Sequence, residues 1–409
     1  MPHTTSTATS LSEPDLPWWK TAVIYQIYPI SFFDSNGDGI GDLNGITSKL
    51  DYLKDLGVDV LWLSPIYRSP LADMGYDISD YQDIDPRYGT LADWDALLAG
   101  AHERGMKLMM DLVVNHSSDE HDWFVQSRSD KSHPKRDWYI WRPPKYDAAG
   151  SRQPPNNWKA VFQGSAWEYD AHTNEYYLHL YLPKQPDLNW DNPQVRDAVW
   201  KLMKFWLDRG RTAFRTPLSR YPETFKRNEG FWNANFTENH DHSRSVSRFG
   251  NDSDKWRALS AKMLAMMQVT QGGTQFVYQG QELGLKNFPR TWGIEEYKDV
   301  ASQNYWHKIL AKRKEESPGV EIDTSDILDD FAKKARDHAR VPMQWSAAPH
   351  AGFTTGTPWM RVNEDYENWN AESQGHDADS VRTFWKDLLR IRKENSLLVC
   401  RFLSREYLI

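Results

Sequence analysis

The chain has 409 residues, a net charge of −8, 39% apolar residues and a single cysteine, Cys400. This length predicts two or three domains or one large barrel with insertions, and a lone cysteine excludes an internal disulfide framework and a cysteine-built metal site. Charges of both signs are spread along the chain, which argues against a nucleic-acid partner, and no apolar run reaches the ~18 residues of a membrane span.

The first 17 residues are small, polar and punctuated by proline. They have neither a basic start nor an apolar stretch, so they do not resemble a secretory signal. We expect a disordered tail over 1–17 and a cytoplasmic protein.

Short apolar runs then alternate with stretches of helical period, which predicts an α/β fold with a parallel sheet covered by helices. The predicted strands are Ala22–Tyr28, Val58–Leu63, Lys107–Val114, Thr212–Arg215, Phe231–Thr237 and Thr274–Tyr278. The predicted helices include Leu43–Leu56, Leu91–Arg104 and Asn192–Arg209.

Two features interrupt this alternation. Residues 117–190 are rich in Trp, Tyr, Pro and His without a useful helical period, and a stretch of that length predicts an inserted subdomain. The link from Arg215 to Phe231 is too short for a barrel, since a (β/α)8 barrel uses about 250 residues over eight strands. The sequence therefore predicts an incomplete barrel of about six strands.

The loop DSNGDGIGD places side-chain oxygens at positions 1, 3, 5 and 9 and a glycine at position 6, as in the first part of an EF-hand loop. Position 12 is glycine, so the bidentate glutamate is absent. The loop predicts a structural Ca²⁺ site, and a plain Asx/Gly turn is the alternative. The predicted ligands are Asp34, Asn36, Asp38, Ile40 through its carbonyl, and Asp42.

Polar residues also end several of the apolar runs. Asn115 and His116 end the third strand, and the run before His240 and Asp241 ends in the same way. Barrel enzymes build their sites at the carboxyl ends of strands. Tyr76 could stack on a sugar ring, although the local sequence by itself favours a turn there. A lone histidine at a strand end, such as His116, is more often a structural group than a ligand-binding one.

Taken together, the segments resemble the α-amylase superfamily of glycoside hydrolases (family 13), in its maltase and oligo-1,6-glucosidase branch. The resemblance runs from about Trp18 to about Leu398 with one large gap. The segments that carry it are QIYPISFFDSNGDGIGDLNGI, DMGYDISDY, DLVVNHSSDEH, QPDLNW, ENHDHSRSVSRFG, GTQFVYQGQELG, RDHARVPMQW and AGFTTGTPWMRVN.

The resemblance implies a (β/α)8 TIM-type barrel with subdomain B inserted after strand 3. It divides the chain into a tail at 1–17, the first part of the barrel at 18–116, subdomain B at 117–190, the remaining barrel with a deletion near 215–217 at 191–396, and the start of a truncated C-terminal β domain at 397–409.

The resemblance also implies residue roles. Arg215 would orient the nucleophile, while His240 and Asp241 would bind the hydroxyls beside the reacting carbon and stabilise the transition state. Structural Ca²⁺ would lie in the DSNGDGIGD loop. The implied substrate-binding residues are Asp77, Tyr76, His116, Gln185 and Arg244.

The chain departs from this family at its catalytic centre. Retaining glycosidases use two carboxylates about 5–5.5 Å apart. The family's nucleophile is an aspartate two residues after the arginine of its G-F-R-x-D motif, and here Pro217 stands at that position. The general-acid glutamate has no counterpart, and three βα units imply a loss of about 90 residues. Neither Asp208 nor Glu223 is expected at a strand end, so neither is a good replacement.

The resemblance thus implies an α-glucosidase of maltase or isomaltase type, which hydrolyses terminal non-reducing α-linked glucose with retention. This chain is expected to be inactive. The expected partner is a small oligosaccharide such as maltose, isomaltose or a sucrose-like sugar, with no nucleic acid and no membrane. Two alternatives remain: a non-catalytic relative that binds a sugar or a partner protein, and a defective product of splicing or of a gene model.

Overall fold

The computed structural model describes residues 17–210, 213–215, 232–395 and 398–399, with backbone only for 213–215. The strands are β1 (Val23–Ile27), β2 (Val60–Leu63), β3 (Tyr67–Arg68), β4 (Asp80–Ile84), β5 (Lys107–Asp111), β6 (Trp141–Arg142), β7 (Lys145–Tyr146), β8 (Arg152–Gln153), β9 (Trp167–Asp170), β10 (Glu175–Leu178), β11 (Ala213–Arg215), β12 (Ala234–Asn235) and β13 (Thr274–Tyr278). The helices are α1 (Trp18–Thr21), α2 (Leu43–Ser48), α3 (Leu50–Leu56), α4 (Leu91–Glu103), α5 (Asp122–Ser129), α6 (Pro193–Asp208), α7 (Ser245–Phe249), α8 (Arg257–Val269), α9 (Val300–Glu316), α10 (Ser325–Lys334), α11 (Asp337–Arg340), α12 (Ala371–Gly375) and α13 (Val381–Glu394).

The six predicted strands form one parallel sheet in the order β11-β5-β2-β1-β13-β12. Every residue of β1 and β2 is buried, as expected for strands covered on both faces. Within the described ranges no pairing joins β11 to β12, so these two strands are the edges and the sheet stays open. The prediction of an incomplete, six-stranded barrel is therefore confirmed.

Local capping determines where the covering helices begin. Thr90 and Asp93 form a reciprocal capping box at the start of α4, and Asn192 caps α6 with Pro193 in its first turn. The predicted helix Leu43–Leu56 is wrong as one element: Lys49 leaves the helical conformation and divides it into α2 and α3. Within the described part of the chain, no helix has the length and apolar character needed to cross a membrane.

The segment 117–190 is built around its own small sheet, in the order β6-β10-β9, with the hairpin β7-β8 beside it. It also contains one helix, α5, which the sequence pattern did not indicate. An aromatic-rich cluster joins this segment to the start of α6, so the inserted stretch packs on the barrel. The members of the cluster are Phe124, Trp138, Tyr139, Trp141, Tyr177, Leu188 and Val195. The exact domain bounds stay a prediction.

A second apolar cluster lies between β13 and α12 in the chain and was not predicted. It packs α10 against the loop that precedes α9. Its buried members are Phe288, Trp292, Tyr297, Ile327, Phe331, Ala335, Val341 and Met360. Since α11 follows α10 directly, this cluster fixes the position from which α11 reaches the sheet.

An apolar stripe is exposed on α8, the second helix after the edge strand β12. Leu259, Met263, Met266 and Met267 are 59%, 55%, 49% and 49% exposed. Their spacing of four, three and one residues places them on one side of the helix. Phe236, next to β12, lines the same groove as Met263 and Met267. An apolar patch of this kind is unusual on a folded monomer.

We expect this stripe to bind the dye ANS. The double variant Met263→Lys/Met267→Lys should lose roughly half of the ANS fluorescence, because lysine breaks the continuity of the patch. The control is Val125→Lys, which changes one valine on α5 that is 53% exposed. Equal fluorescence from the parent and the double variant would contradict this interpretation of the stripe.

Candidate active site

A cavity of about 350 Å³ opens beyond the carboxyl end of β5. This is the edge at which parallel sheets and barrels place their ligands. The loop after β5, the loop between β3 and β4, the turn after β12 and the helix α11 all reach it, as do aromatic residues of the 117–190 segment. The lining residues are Asp73, Tyr76, Leu112, Val113, Val114, Asn115, His116, Phe162, Tyr181, Trp190, His240, Asp241, Arg336 and Arg340.

Tyr76 lies on the cavity, where the resemblance implied it. Its hydroxyl donates to Oδ2 of Asp111, at 2.9 Å, and Nε1 of Trp62 donates to Oδ1 of the same carboxylate, at 2.8 Å. The phenol ring stacks on the imidazole of His240, with centroids 5.3 Å apart and planes within 8°. Asp111, the last residue of β5, therefore anchors an aromatic wall of the cavity.

Asp77 is not among the residues that line the cavity, and the sugar-binding role implied for it stays a prediction. It is fully buried, and its carboxylate accepts hydrogen bonds from Oγ of Ser69 and from the amides of Ala72 and Asp73. The carboxylate on the cavity is that of Asp73, four residues earlier in the same motif. Asp77 shapes the turn, and Asp73 faces the space where a ligand would lie.

His116 and Gln185 form one buried unit with Asp73. Nε2 of Gln185 donates to Oδ2 of Asp73, at 2.9 Å, and lies 3.1 Å from Nε2 of His116. Gln185 is fully buried and supports these two residues, and its own contact with a ligand stays a prediction. Burial lowers the pKa of His116 to about 4, which keeps the ring neutral near pH 7.

Asp241 lies at the centre of an ionic cluster. Its Oδ1 accepts from Nη1 of Arg336, at 2.8 Å, and from Nη2 of Arg340, at 3.2 Å. Both guanidinium groups also contact Oδ2 of Asp299, at 2.6 Å each. Nε of Arg340 donates to the backbone carbonyl of His240, at 3.0 Å, which ties α11 to the turn after β12.

The two cavity carboxylates have opposite electrostatic environments. Burial opposes ionisation of Asp241, but the neighbouring His240, Arg340 and Arg336 outweigh it and hold its pKa well below the usual range. Burial dominates at Asp73 and raises its pKa to about 6, even though Gln185 and the two arginines act against it. Asp241 is therefore a fixed anion, while Asp73 changes charge near neutral pH.

Three of these cavity and cluster residues were missed in the sequence: Arg336, Arg340 and Asp299. The first two lie in the quoted segment RDHARVPMQW, but they are about 100 positions from Asp241, and only the packing of α11 brings them to it. Asp299 caps α9, accepting a hydrogen bond from the amide of Ala301. Its helix-capping role gave no sign of a second role at the site.

Arg244 does not line the cavity, and the substrate-binding role implied for it stays a prediction. It is fully buried, and its guanidinium donates to Oε2 of Glu238 and to the carbonyls of Gln279, His338 and Ala339. These four protein acceptors give it a structural role beneath the strand ends.

The residues around the expected nucleophile are only partly described. The backbone of Arg215 pairs in register with Asp111, which places it at the cavity end of β11, while its side chain, Pro217 and Glu223 lie outside the described residues. Asp208 is the last residue of α6, and it forms an exposed ion pair with Lys204. It does not line the cavity.

The DSNGDGIGD loop is closed by its own hydrogen bonds. The carboxylate of Asp34 accepts from the amides of Asn36, Gly37 and Gly39, and that of Asp42 accepts from Ser35 and from the first turn of α2. Over the described ranges, no group of three His, Cys, Asp or Glu side chains is placed to hold a metal ion. The donor atoms are the oxygens that Ca²⁺ prefers, but this arrangement does not converge on an ion. Calcium binding by this loop stays a prediction.

The family model for the alpha-amylase catalytic domain matches the chain twice, over residues 26–218 and 212–400. The chain belongs to the alpha-amylase family. The two matches meet at the junction where β11 ends. The fold of this family is the (β/α)8 barrel, and the described sheet is an open form of it.

Curated relatives cover almost the whole chain. The α-glucosidase of Schizosaccharomyces pombe is 43% identical over 490 aligned positions, covering 92% of this chain and 84% of that protein. The oligo-1,6-glucosidase of Parageobacillus thermoglucosidasius is 41% identical, with 93% and 84% covered. Because an alignment of 490 positions is longer than the 409 residues of this chain, the relatives contain segments without a counterpart here.

Solved structures agree in shape. The isomaltulose synthase of Erwinia rhapontici NX5 superposes with a TM-score of 0.86 at 36% identity, covering 94% of this chain and 86% of the other. A mutant of the same enzyme, solved in complex with its natural substrate sucrose, also gives 0.86, at 35% identity and with 94% and 85% covered.

The neutral, buried His116 predicts a pH-dependent stability. Because its pKa falls from 6.5 to about 4 on folding, the unfolded chain binds the proton more tightly. The contribution of the neutral ring to the free energy of unfolding is fully present above pH 6.5. It decreases by up to about 3 kcal/mol as the pH falls towards 4.

Urea unfolding between pH 4 and pH 7 tests this, comparing the parent with His116→Gln. We expect the variant to lose less stability than the parent over that range. His307→Gln, which changes an exposed histidine on α9, should follow the parent. Parallel curves for the parent and His116→Gln would contradict the assignment.

Proposed function

We propose that the cavity binds the terminal, non-reducing glucosyl unit of a small α-linked oligosaccharide. The observation that carries the proposal is the convergence of Asp73, His116, His240 and Asp241 with the ring of Tyr76 on one cavity. A pyranose presents hydroxyls at its rim and an apolar face, and this lining offers hydrogen-bonding groups together with an aromatic surface. The names of the α-glucosidase and oligo-1,6-glucosidase relatives support the same class of ligand.

The charges at the cavity suit a neutral, hydroxyl-rich ligand. Asp241 keeps its charge and accepts hydrogen bonds, but Arg336 and Arg340 already contact its Oδ1. Oδ2 lies 3.3 Å from Nε2 of His240. This carboxylate can therefore accept a sugar hydroxyl while the arginines balance its charge. Asp73 can donate when protonated or accept when ionised.

We further propose that this chain does not hydrolyse the sugar that it binds. Retention needs a nucleophile and a general acid about 5–5.5 Å apart. The carboxylates among the described cavity residues are Asp73 and Asp241, and the paired arginines make Asp241 a poor nucleophile and a poor acid. Pro217 at the expected nucleophile position and the two-part match to the family model support this proposal.

Glucose release and sugar binding by one preparation test both parts. We expect the purified chain to bind maltose in calorimetry, yet to release glucose from maltose or isomaltose at least roughly 10⁴-fold more slowly than a repaired chain, since a triad-type nucleophile can contribute more than that. The repaired chain carries, after Arg215, the βα units of the Schizosaccharomyces pombe α-glucosidase that have no counterpart in this chain.

The outcomes separate the two claims. Similar rates in the two chains would overturn the proposal of inactivity. No maltose binding by the parent, together with binding by the repaired chain, would overturn the proposed sugar site in this chain. The variant Glu321→Ala, which changes an exposed glutamate that does not line the cavity, serves as the matched control for both assays.

We also propose that the DSNGDGIGD loop binds Ca²⁺ after a local rearrangement. The spacing of its oxygen ligands supports this, and Asp38 is exposed. Ca²⁺ at about 100 times its Kd should raise the free energy of unfolding by about 2.7 kcal/mol. Thermal unfolding with Ca²⁺ and with a chelator measures the effect, and Asp38→Asn should reduce it. An unchanged Tm in the parent would disprove the site.

A further inference from the structure

We propose that Gln26 is a positioning residue that fixes the proton of His240 on Nε2. Gln26 lies on β1 and is 1% exposed. Its Nε2 atom is 2.8 Å from Nδ1 of His240 and donates to Oγ of Ser64, at 3.1 Å, directly after β2. One buried amide thus joins β1, the end of β2 and the turn after β12 at the floor of the cavity.

The plane of the imidazole is fixed independently of Gln26. Tyr76 and Tyr28 both stack on the ring, with interplanar angles of 8° and 10° and centroid distances of 5.3 and 5.8 Å. Nε of Arg340 holds the backbone carbonyl of His240. Stacking sets the ring plane but does not choose between the two neutral tautomers, so that choice depends on the groups at the ring edge.

The groups at the two ring nitrogens select the same tautomer. The amide of Gln26 is a donor, so Nδ1 has to accept and carries no proton. The proton is then on Nε2, which lies 3.3 Å from Oδ2 of Asp241 and can donate to it. In the other neutral tautomer, Nδ1–H would face the N–H of Gln26, and the lone pair of Nε2 would face Oδ2 of Asp241. Each of these contacts would leave a buried polar group without a hydrogen bond.

The consequence for ligand binding rests on the proposed function. With the proton on Nε2, the cavity presents a neutral donor beside the anionic Asp241, which is a donor–acceptor pair for adjacent sugar hydroxyls. If the proton moved to Nδ1, the cavity would present two acceptors there. Gln26 does not line the cavity, so it acts on the ligand through His240.

The direct test is ¹⁵N NMR of the imidazole of His240 in the full chain at a pH where the ring is neutral. We expect the parent to show a protonated Nε2 and an unprotonated Nδ1. In Gln26→Met, which removes the donor but keeps the side-chain length, we expect a mixture of tautomers. In Gln26→Glu the carboxylate accepts, so we expect the proton to move to Nδ1.

A matched control corrects for the cost of altering a buried glutamine. Gln275 on β13 is also fully buried, and its Nε2 donates to the carbonyl of Gln271, at 3.5 Å. We expect Gln275→Met to keep the parent tautomer. A parent protonated on Nδ1 would overturn the proposal, and so would a Gln26→Met spectrum identical to that of the parent.

Maltose calorimetry adds a readout of the consequence. We expect Gln26→Met to bind roughly tenfold more weakly than Gln275→Met, which is the typical effect of one lost or misdirected hydrogen bond. Absence of maltose binding in every variant, with the parent tautomer as expected, would count against the sugar site and leave the role of Gln26 standing. Equal binding by the two variants would overturn the effect of the tautomer on the ligand.

Discussion

Parallel pairing of β1 with β2 and β13 is the constraint on which the rest of the site depends. Ile24 lies opposite both Val60 and Phe276, so the three strands end at the same level. The polar residues at and beyond the strand ends are thereby gathered at one edge, although Gln26 and His240 are 214 positions apart in the chain. These two residues are in contact only because the strand register brings both strand ends to the floor of the same cavity.

The ionic cluster is the second requirement, and it follows from the first. Arg340 and Asp299 are almost fully buried, and burying unpaired charges at this depth would be strongly unfavourable. Two arginines and two aspartates share their contacts, so each charge has a partner of opposite sign. The same contacts that make the burial tolerable also hold α11 against the turn that carries Asp241. Removing one arginine would therefore loosen the cavity wall as well as change its charge.

The sequence predicts the sheet well, because buried parallel strands are short apolar runs that need no information from elsewhere in the chain. His116, His240 and Asp241 were singled out for the same reason, as they end such runs. The local sequence at Tyr76 favoured a turn, and its role came from the family resemblance. Asp73 and Asp77 belong to that one turn, but only Asp73 is among the residues that line the cavity. Their directions depend on the backbone of the turn, in which Met74 and Gly75 have positive φ values of 51° and 105°.

The positions of Arg336 and Arg340, in contrast, could not be predicted from the local sequence. Nothing near Arg336 or Arg340 distinguishes them from other cations on helices, and a surface role was as plausible as a buried one. The family resemblance implied a place for Arg244 beside the pocket, and its guanidinium donates below the strand ends to Glu238 and three carbonyls. Long side chains can reach in several directions, so proximity in sequence does not decide which charge they meet.

The open side of the sheet connects the architecture to the chemistry. β11 and β12 are its edges, and the family model breaks at the junction after β11. The expected nucleophile position lies at that junction, whereas the groups proposed to bind the sugar lie on the continuous side, from β5 across β1 to the turn after β12. The exposed α8 stripe adjoins the edge strand β12 through the groove that Phe236 shares with Met263 and Met267. Asp73, His116, His240 and Asp241 line one cavity on the other side of this junction. The proposed sugar site therefore depends on the continuous part of the sheet and not on the junction after β11.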